Sequence, residues 1–369
     1  MSDTTRETPT FETVARGDRL ESVLAGRGLD ALLVTNLVNV RYLTGYTGSN
    51  GIALVGRGAL RRFVTDFRYE TQAQEQVHGY ERVIGETDLL GEVLPGLPEG
   101  EVQLGFDDAH VSVATHARLR ELLPERVELV PAGGAVEELR LVKDAHEVER
   151  IRAAAILADS ALTTVLKDGL IGRTEREVAL ALEQEMRRLG AQRASFDTIV
   201  AHGGHGALPH ASPREVPIAA GTLVVIDWGA ELDGYCSDCT RTYAAGEVDG
   251  QAREIHALVL EAQLAALAAI RAGVSGREAD AVARDLLTAA GYGEQFGHSL
   301  GHGVGIEIHE APRLSRASTA VLAPGNVVTD EPGIYLPGVL GVRIEDLLVV
   351  TEDGNDVLST LPKELTVID

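Results

Sequence analysis

Thiols, aromatic rings and positive charge are all scarce in this chain. It has two cysteines and one tryptophan in 369 residues, 4% aromatic residues, and 33 Lys and Arg against 56 Asp and Glu. So few thiols exclude a disulfide-built scaffold. Cys236 and Cys239 stand as Cys-Ser-Asp-Cys, a spacing shared by redox pairs and zinc half-sites. With no second pair and no thioredoxin-like context, they read as reduced strand thiols. No apolar stretch approaches the roughly 18 residues of a membrane span, and residues 1–10 are polar, without the apolar core of a signal peptide. A cytoplasmic protein is therefore expected. The net charge of −23 disfavours nucleic acid and anionic membranes as partners, since both select basic patches. Part of that acidic excess is explicable if several acids share a metal site whose cations the formal count omits.

A hydrophobic content of 44% with 24% charged residues is ordinary for a globular protein, and the length suits two domains. The first part alternates α and β patterns: an amphipathic run over residues 11–28, then apolar strands at 31–35, 51–55, 62–66, 104–106 and 127–130. Pro and Gly clusters at 95–98 and 131–134 punctuate them. The glycine-rich Thr44-Gly-Tyr-Thr-Gly-Ser-Asn-Gly51 lacks both a Walker lysine and a dinucleotide fingerprint, so it reads as a tight polar turn. From Lys143 the texture becomes long helical patterns at 144–166, 174–190, 251–272 and 275–291. Thr174-Glu-Arg-Glu177 and Ser275-Gly-Arg-Glu278 supply capping boxes. The expected organisation is a flexible 1–10, a small α/β domain over 11–135, and a second domain over 136–369 whose helix pairs and strands occur twice, an α/β (α+β) fold overall.

Within that duplicated layout, Gly221-Thr-Leu-Val-Val-Ile-Asp227 and Gly325-Asn-Val-Val-Thr-Asp-Glu331 each place an acid six residues after a glycine, at the end of an apolar run. The first strand turns through Gly229 to Gly234 and returns with Asp238 and Thr240-Arg-Thr-Tyr243; the second turns through Pro332-Gly333 to Gly341 and returns with Val342-Arg-Ile-Glu345. Each hairpin thus offers one acid outgoing and one returning. Two such hairpins bring Asp227, Asp238, Glu331 and Glu345 together. Four like charges stay ionised at close range only with cations among them.

A fifth donor comes from Phe296-Gly-His-Ser-Leu-Gly-His-Gly-Val-Gly-Ile-Glu-Ile-His309, where His298, His302 and His309 lie among glycines that permit close backbone approach. One imidazole with four carboxylates is a hard, oxygen-rich set, better suited to two ions of the manganese, magnesium or cobalt kind than to structural zinc. Two such ions about 3.5 Å apart can activate a shared water and polarise a carbonyl, which predicts hydrolysis of an amide or similar acyl group.

The residues then resemble a family. Tyr42-Leu-Thr-Gly-Tyr-Thr-Gly-Ser-Asn-Gly51, Thr65-Asp-Phe-Arg-Tyr69, Leu208-Pro-His210, Ile226-Asp-Trp-Gly229, Ser237-Asp-Cys-Thr-Arg241, Gly301-His-Gly-Val-Gly305, His309-Glu310, Glu331-Pro-Gly-Ile-Tyr335 and Val342-Arg-Ile-Glu345 occur in an order similar to that of the Xaa-Pro aminopeptidases and Xaa-Pro dipeptidases (prolidases) of the creatinase and methionine-aminopeptidase superfamily. The resemblance implies a creatinase-like amino-terminal domain, a "pita-bread" catalytic domain, and two divalent ions, manganese first with cobalt or zinc as alternatives. It implies that Asp227 binds one metal and His302 the other, that Asp238 and Glu345 bridge them around a hydroxide, and that Glu331 lies near the histidine-bound ion. It further implies that His210 and His309 contact substrate and stabilise the tetrahedral intermediate. His298 would bind near the carboxyl side of the scissile bond, and Glu331 would carry a proton to the proline nitrogen. Arg343 is expected to face the substrate site and, two residues before Glu345 on one strand, to orient that carboxylate. Proline-containing peptides and a homodimer follow as partners.

Two positions depart from the family pattern: Asp330 precedes Glu331 where an apolar residue is usual, and Leu300 stands two before His302 where a polar or small residue is common. Strand alternation points Asp330 to the face opposite Glu331. His202 and His205 read as loop histidines, and Trp228 and Tyr335 as core. The same fold also hosts a creatinase-like amidinohydrolase and non-catalytic binding proteins, but both predict missing ligands, whereas all five donors are present. Whether the substrate is an Xaa-Pro dipeptide or a longer peptide stays open at this level.

Overall fold

A computed structural model describes residues 10–86 and 88–369; residues 1–9, expected to be flexible, lie outside the described residues. The chain forms two compact units, one ending at Arg140 and the other spanning Leu141–Asp369. Among the described residues no helix is long and apolar enough to cross a membrane.

The first unit is a six-stranded mixed sheet with helices α1 (Thr10–Gly26), α2 (Leu37–Thr44), α3 (Glu70–Gln76), α4 (Val113–Leu122) and α5 (Ala135–Arg140). Its strands are β1 (Ala31–Val34), β2 (Ile52–Gly56), β3 (Leu60–Asp66), β4 (Glu81–Gly85), β5 (Val102–Phe106) and β6 (Val127–Pro131), in the order β4-β3-β2-β1-β5-β6. Central β1 pairs antiparallel with β2 and parallel with β5. All four of its residues are buried, which is why it reads as an uninterrupted apolar run rather than an alternating one. The glycine-rich stretch after α2 is the expected tight turn. It opens with Gly45 in the left-handed conformation, and Asn50 Nδ2 donates to Asp66 Oδ2 at 2.5 Å.

The second unit repeats one plan twice. Helices α6 (Ala145–Val165) and α7 (Glu175–Leu189) precede strands β7 (Arg193–Ala194) to β12; helices α8 (Gly250–Ala269) and α9 (Gly276–Ala289) precede β13 (Gly301–Gly303) to β20 (Val367–Ile368). Capping boxes at Asp144, Thr174 and Ser275 start three of these helices, their side chains meeting the N3 backbone while the N3 glutamate reaches back. In the first half β9 (Thr222–Trp228) pairs antiparallel with β12 (Cys239–Ala245), and the small hairpin of β10 (Ala230–Leu232) and β11 (Tyr235–Cys236) is inserted between them. In the second half β15 (Val327–Asp330) pairs antiparallel with β18 (Asp346–Val350), around the hairpin of β16 (Gly333–Leu336) and β17 (Leu340–Arg343).

This corrects the simple second hairpin expected from the sequence. Val342 and Arg343 pair with β16 and not with β15, because Pro332 interrupts the ladder and the chain leaves the sheet before returning at Asp346. Each half has its own core. Leu162, Val178, Leu182, Met186, Val224, Ile226 and Trp228 pack under α6 and α7, and Val259, Ala266, Ala283, Leu287, Val328, Val342 and Leu348 pack under α8 and α9. Each large side chain removed from water there contributes roughly 1.5–3 kcal/mol, so the two sheets are held as rigid bases for what projects from their ends.

The inner hairpin of the second half also fixes a close contact. A Cβ on Gly341 in β17 would collide with the Gly206 carbonyl oxygen, backbone against backbone with no flexible side chain to yield. Gly341→Ala is expected to destabilise the fold by at least about 1–3 kcal/mol, whereas Gly250→Ala, at the open first turn of α8, is expected to be neutral. Equal melting temperatures for the two variants in scanning calorimetry would contradict this packing.

Candidate metal centre

The acids stand where the strands stop. Asp227 is the penultimate residue of β9 and lies opposite Thr240 of β12; Asp238 immediately precedes β12. Glu331 follows β15, and Glu345 precedes β18, so the two halves present their acids at corresponding ends of their outer strand pairs. Carboxylate oxygens of Asp227, Asp238 and Glu345 all lie within 4.8 Å of one another, and all three residues are buried. His302 on β13 completes the group: its Nε2 is 3.6 Å from Asp238 Oδ2 and 3.4 Å from Glu331 Oε1.

Hydrogen bonds aim these side chains from behind. Thr240 Oγ1 donates to Glu345 Oε2 at 2.7 Å, and the Glu345 N–H donates to the Thr240 carbonyl at 3.0 Å. Thr329 Oγ1 donates to Glu331 Oε1 at 3.1 Å and accepts from the His302 N–H at 3.0 Å, so one hydroxyl positions two neighbours. His302 Nδ1 lies 3.1 Å from the Gly303 carbonyl, a contact that requires the proton on Nδ1 and leaves Nε2 bare toward the acids. A Cβ on Gly301 would overlap the Thr329 carbonyl, which is why the segment needs glycine beside His302.

The electrostatics follow from burial. Burial first, and then Glu345, Asp227 and Glu331, raise Asp238 well above the usual carboxylate range; burial, Glu331 and Asp227 do the same to Glu345. Glu331 is also pushed up, by burial and Asp227, against the opposing pull of Arg343. Burial holds His302 down to about 3 and His298 down to about 4, and lowers His309, so these three imidazoles are neutral at pH 7.

Arg343 departs from expectation. It is 3% exposed, and its guanidinium pairs with Asp227 rather than Glu345, Nη2 lying 2.6 Å from Asp227 Oδ2. Its Nε donates to Thr240 Oγ1 at 2.9 Å, and its Nη1 donates to Tyr335 Oη at 2.8 Å and to the Pro209 carbonyl at 3.3 Å. Strand β17 ends at Arg343, so alternation does not carry on to Glu345. Tyr335 is buried, as expected of a core residue, and its hydroxyl joins Arg343 at 2.8 Å to His298 Nε2 at 2.9 Å. Thr240 reaches Glu345 across 105 positions, which no local pattern connects, whereas Thr329 stands only two residues before the Glu331 it holds. Asp330 does face the other way, accepting from Gln263 of α8. Both cysteines are buried and unpaired, with thiols raised by burial.

All nine candidate residues line one cavity of about 590 Å³: the five donors together with His210, His298, His309 and Arg343. The His309 ring packs against that of His302 at 4.4 Å between centroids. Phe196, Ile199 and Ile308 supply an apolar wall. Residues 149–352 match the model of metallopeptidase family M24, and residues 16–142 match the creatinase/prolidase N-terminal domain. The chain belongs to metallopeptidase family M24. It is 44% identical to an Xaa-Pro dipeptidase from Bacillus anthracis, whose structure superposes with a TM-score of 0.92 over 96% of this chain and 99% of that one. An X-Pro aminopeptidase from Thermotoga maritima is 36% identical, with a TM-score of 0.87 over 95% and 99% of the two chains. An Xaa-Pro dipeptidase of Pyrococcus horikoshii is 36% identical over 342 residues, covering 91% of this chain and 94% of the relative.

This M24 enzyme is a hydrolase with the two-domain fold expected from its sequence, and its donor set fits divalent ions. Asp227 Oδ1 is buried without a hydrogen-bond partner, and the acids beside it are packed more closely than ionised carboxylates tolerate alone. Without ions the folded cluster binds more protons than the unfolded chain, because Asp238 and Glu345 are raised. Its contribution to stability is therefore present at low pH and falls as pH rises above the usual carboxylate range of about 4. Divalent ions displace those protons, so Mn²⁺ is expected to raise the melting temperature more at about pH 8 than at about pH 5. Scanning calorimetry of the chelated protein with and without Mn²⁺ reads this directly; equal shifts at both pH values would place the ions elsewhere.

Proposed function

We propose that this metallopeptidase hydrolyses the peptide bond between an N-terminal residue and a following proline, using two divalent ions held by Asp227, Asp238, His302, Glu331 and Glu345. Manganese is the first choice of metal, with cobalt or zinc as alternatives. The observation that carries the reading is the buried acid and histidine cluster opening into a cavity with neutral imidazoles and an apolar wall, in a chain whose relatives are named for Xaa-Pro substrates. When bound, the ions supply Lewis acidity toward the scissile carbonyl and lower the pKa of water.

The residues divide the remaining work. His309 and His210 border the cavity beside the donors, where imidazole N–H groups meet the oxygen on which charge develops. His298, held by Tyr335 Oη and by the Ser299 carbonyl at 2.8 Å from its Nδ1, faces the carboxyl side of the bond. Glu331, raised toward neutrality by burial, accepts the proton of the attacking water and returns it to the proline nitrogen. Arg343 neutralises Asp227 and ties it to Tyr335 and His298, coupling the metal cluster to the substrate side. The pyrrolidine ring suits the wall of Phe196, Ile199 and Ile308. The family resemblance also supports a homodimer.

A narrower reading, restriction to Xaa-Pro dipeptides, rests on Arg313. This residue lines the same cavity, is exposed, and has no acidic partner among the described residues. A free guanidinium there suits a substrate short enough to present its terminal carboxylate. The expected outcome is faster hydrolysis of an Xaa-Pro dipeptide than of an Xaa-Pro-Yaa tripeptide, with Arg313→Ala raising KM for the dipeptide roughly tenfold and leaving the tripeptide unaffected. Tripeptide preference in the wild type would favour the aminopeptidase instead. Asp238→Ala and Glu345→Ala are each expected to abolish hydrolysis of both peptides with the fold retained by circular dichroism; wild-type rates in either would refute the ligand assignment.

A further inference from the structure

A carboxylate with bonds to both of its oxygens from three residues lies outside the metal cluster. Glu175, the first residue of α7, has a side chain with no exposure to solvent. Its Oε1 accepts from the His202 N–H at 3.0 Å, His202 Nδ1 at 2.8 Å and Arg214 Nη2 at 3.0 Å. Its Oε2 accepts from the Arg214 N–H at 3.0 Å, Arg214 Nε at 3.0 Å and His205 Nδ1 at 3.0 Å. Burial alone would raise this acid, but the Arg214 guanidinium and the two backbone N–H groups outweigh it and hold it down to about 2. Both imidazoles must carry hydrogen on Nδ1 to make these contacts.

What the carboxylate holds is a loop with both its ends on one group. The segment leaves strand β8 (Ile199–His202) at His202 and is gripped again at Arg214. Between these points it makes a short 3₁₀ turn (Gly203–Ala207) against β17, and its Pro209 carbonyl accepts from Arg343 at 3.3 Å. Pro209, His210 and Pro213 then line the catalytic cavity. His210 itself has no hydrogen bond or ion pair to fix it among the described contacts. Its placement is delegated to the backbone of the loop.

We infer that Glu175, with His202, His205 and Arg214, is a positioning clamp that sets His210 in the catalytic cavity. The clamp rests on the role proposed above for His210. A loop closed on a single buried anion loses both anchor points together when that charge is removed, and a displacement of about 1 Å at a substrate-contacting group costs on the order of 10²-fold in rate. His202 and His205 are then parts of the clamp rather than solvated loop residues. The signal in the sequence was the pairing of two histidines with a glutamate one residue after a helix cap, which no local pattern connects.

The test is a double-mutant cycle on the manganese-loaded enzyme with an Xaa-Pro dipeptide, combining Glu175→Gln with His210→Ala. Glu175→Gln is expected to lower kcat on the order of 10²-fold with metal content unchanged, and to have no further effect in the His210→Ala background. The same fall in both backgrounds overturns the inference, because the clamp would then act otherwise than through His210. Full activity of Glu175→Gln beside an impaired His210→Ala overturns the clamp alone; full activity of His210→Ala overturns the role of His210 as well. If Glu175→Gln does not fold, Arg214→Gln replaces it in the cycle and is judged by the same outcomes, since the Arg214 side chain is 44% exposed and its loss strips only one arm.

Discussion

Repulsion among buried carboxylates is the constraint on which the second unit is built. Two like charges at the spacing of Asp227, Asp238 and Glu345 repel by roughly 3–4 kcal/mol at an effective dielectric of about 20. Three such pairs amount to roughly 10 kcal/mol, comparable with the whole stability of a typical domain. Arg343 is one cation against these three acids and Glu331, so it offsets part of the repulsion and leaves the rest to protons or metal ions. The cluster is affordable only because something positive belongs in it.

The duplicated plan makes such a cluster possible. Each half sets an outer strand pair on its own apolar core and diverts the chain through an inner hairpin just where the acids stand. Ordered backbone on both sides of every acid limits how far the carboxylates can swing apart. Threonines 240 and 329 then fix the rotamers of Glu345 and Glu331 with single hydroxyl bonds. Rigid strand ends carry the donors, while the neighbouring histidines come from loops held by separate means, including the Glu175 carboxylate.

Features written within a few residues were legible in the sequence. The capping boxes at Thr174 and Ser275, the buried run of β1 and the repeated Gly-to-acid spacing were all readable, and from the last came the idea of convergent acids. Features written across the fold were not. Thr240 and Glu345 are separated by 105 positions and Arg343 and Asp227 by 116, so their bonds depend on strand register that no local pattern encodes. The inner hairpin of β16 and β17 is local but was missed for another reason: its strands are short, and Pro332 marks a break without saying where the chain returns. Tyr335 is core, as the sequence led us to expect, but the contact of its hydroxyl with Arg343 depends on the β16–β17 pairing.

Calorimetric titration of the chelated protein with Mn²⁺ at neutral pH, repeated in two buffers of different ionisation enthalpy, tests the central claim most directly. Protons held by Asp238 and Glu345 must leave when ions enter, so binding of two ions per chain with net proton release is predicted. Binding that releases no protons, or no binding at all, would contradict an account in which the acids are brought together for metal.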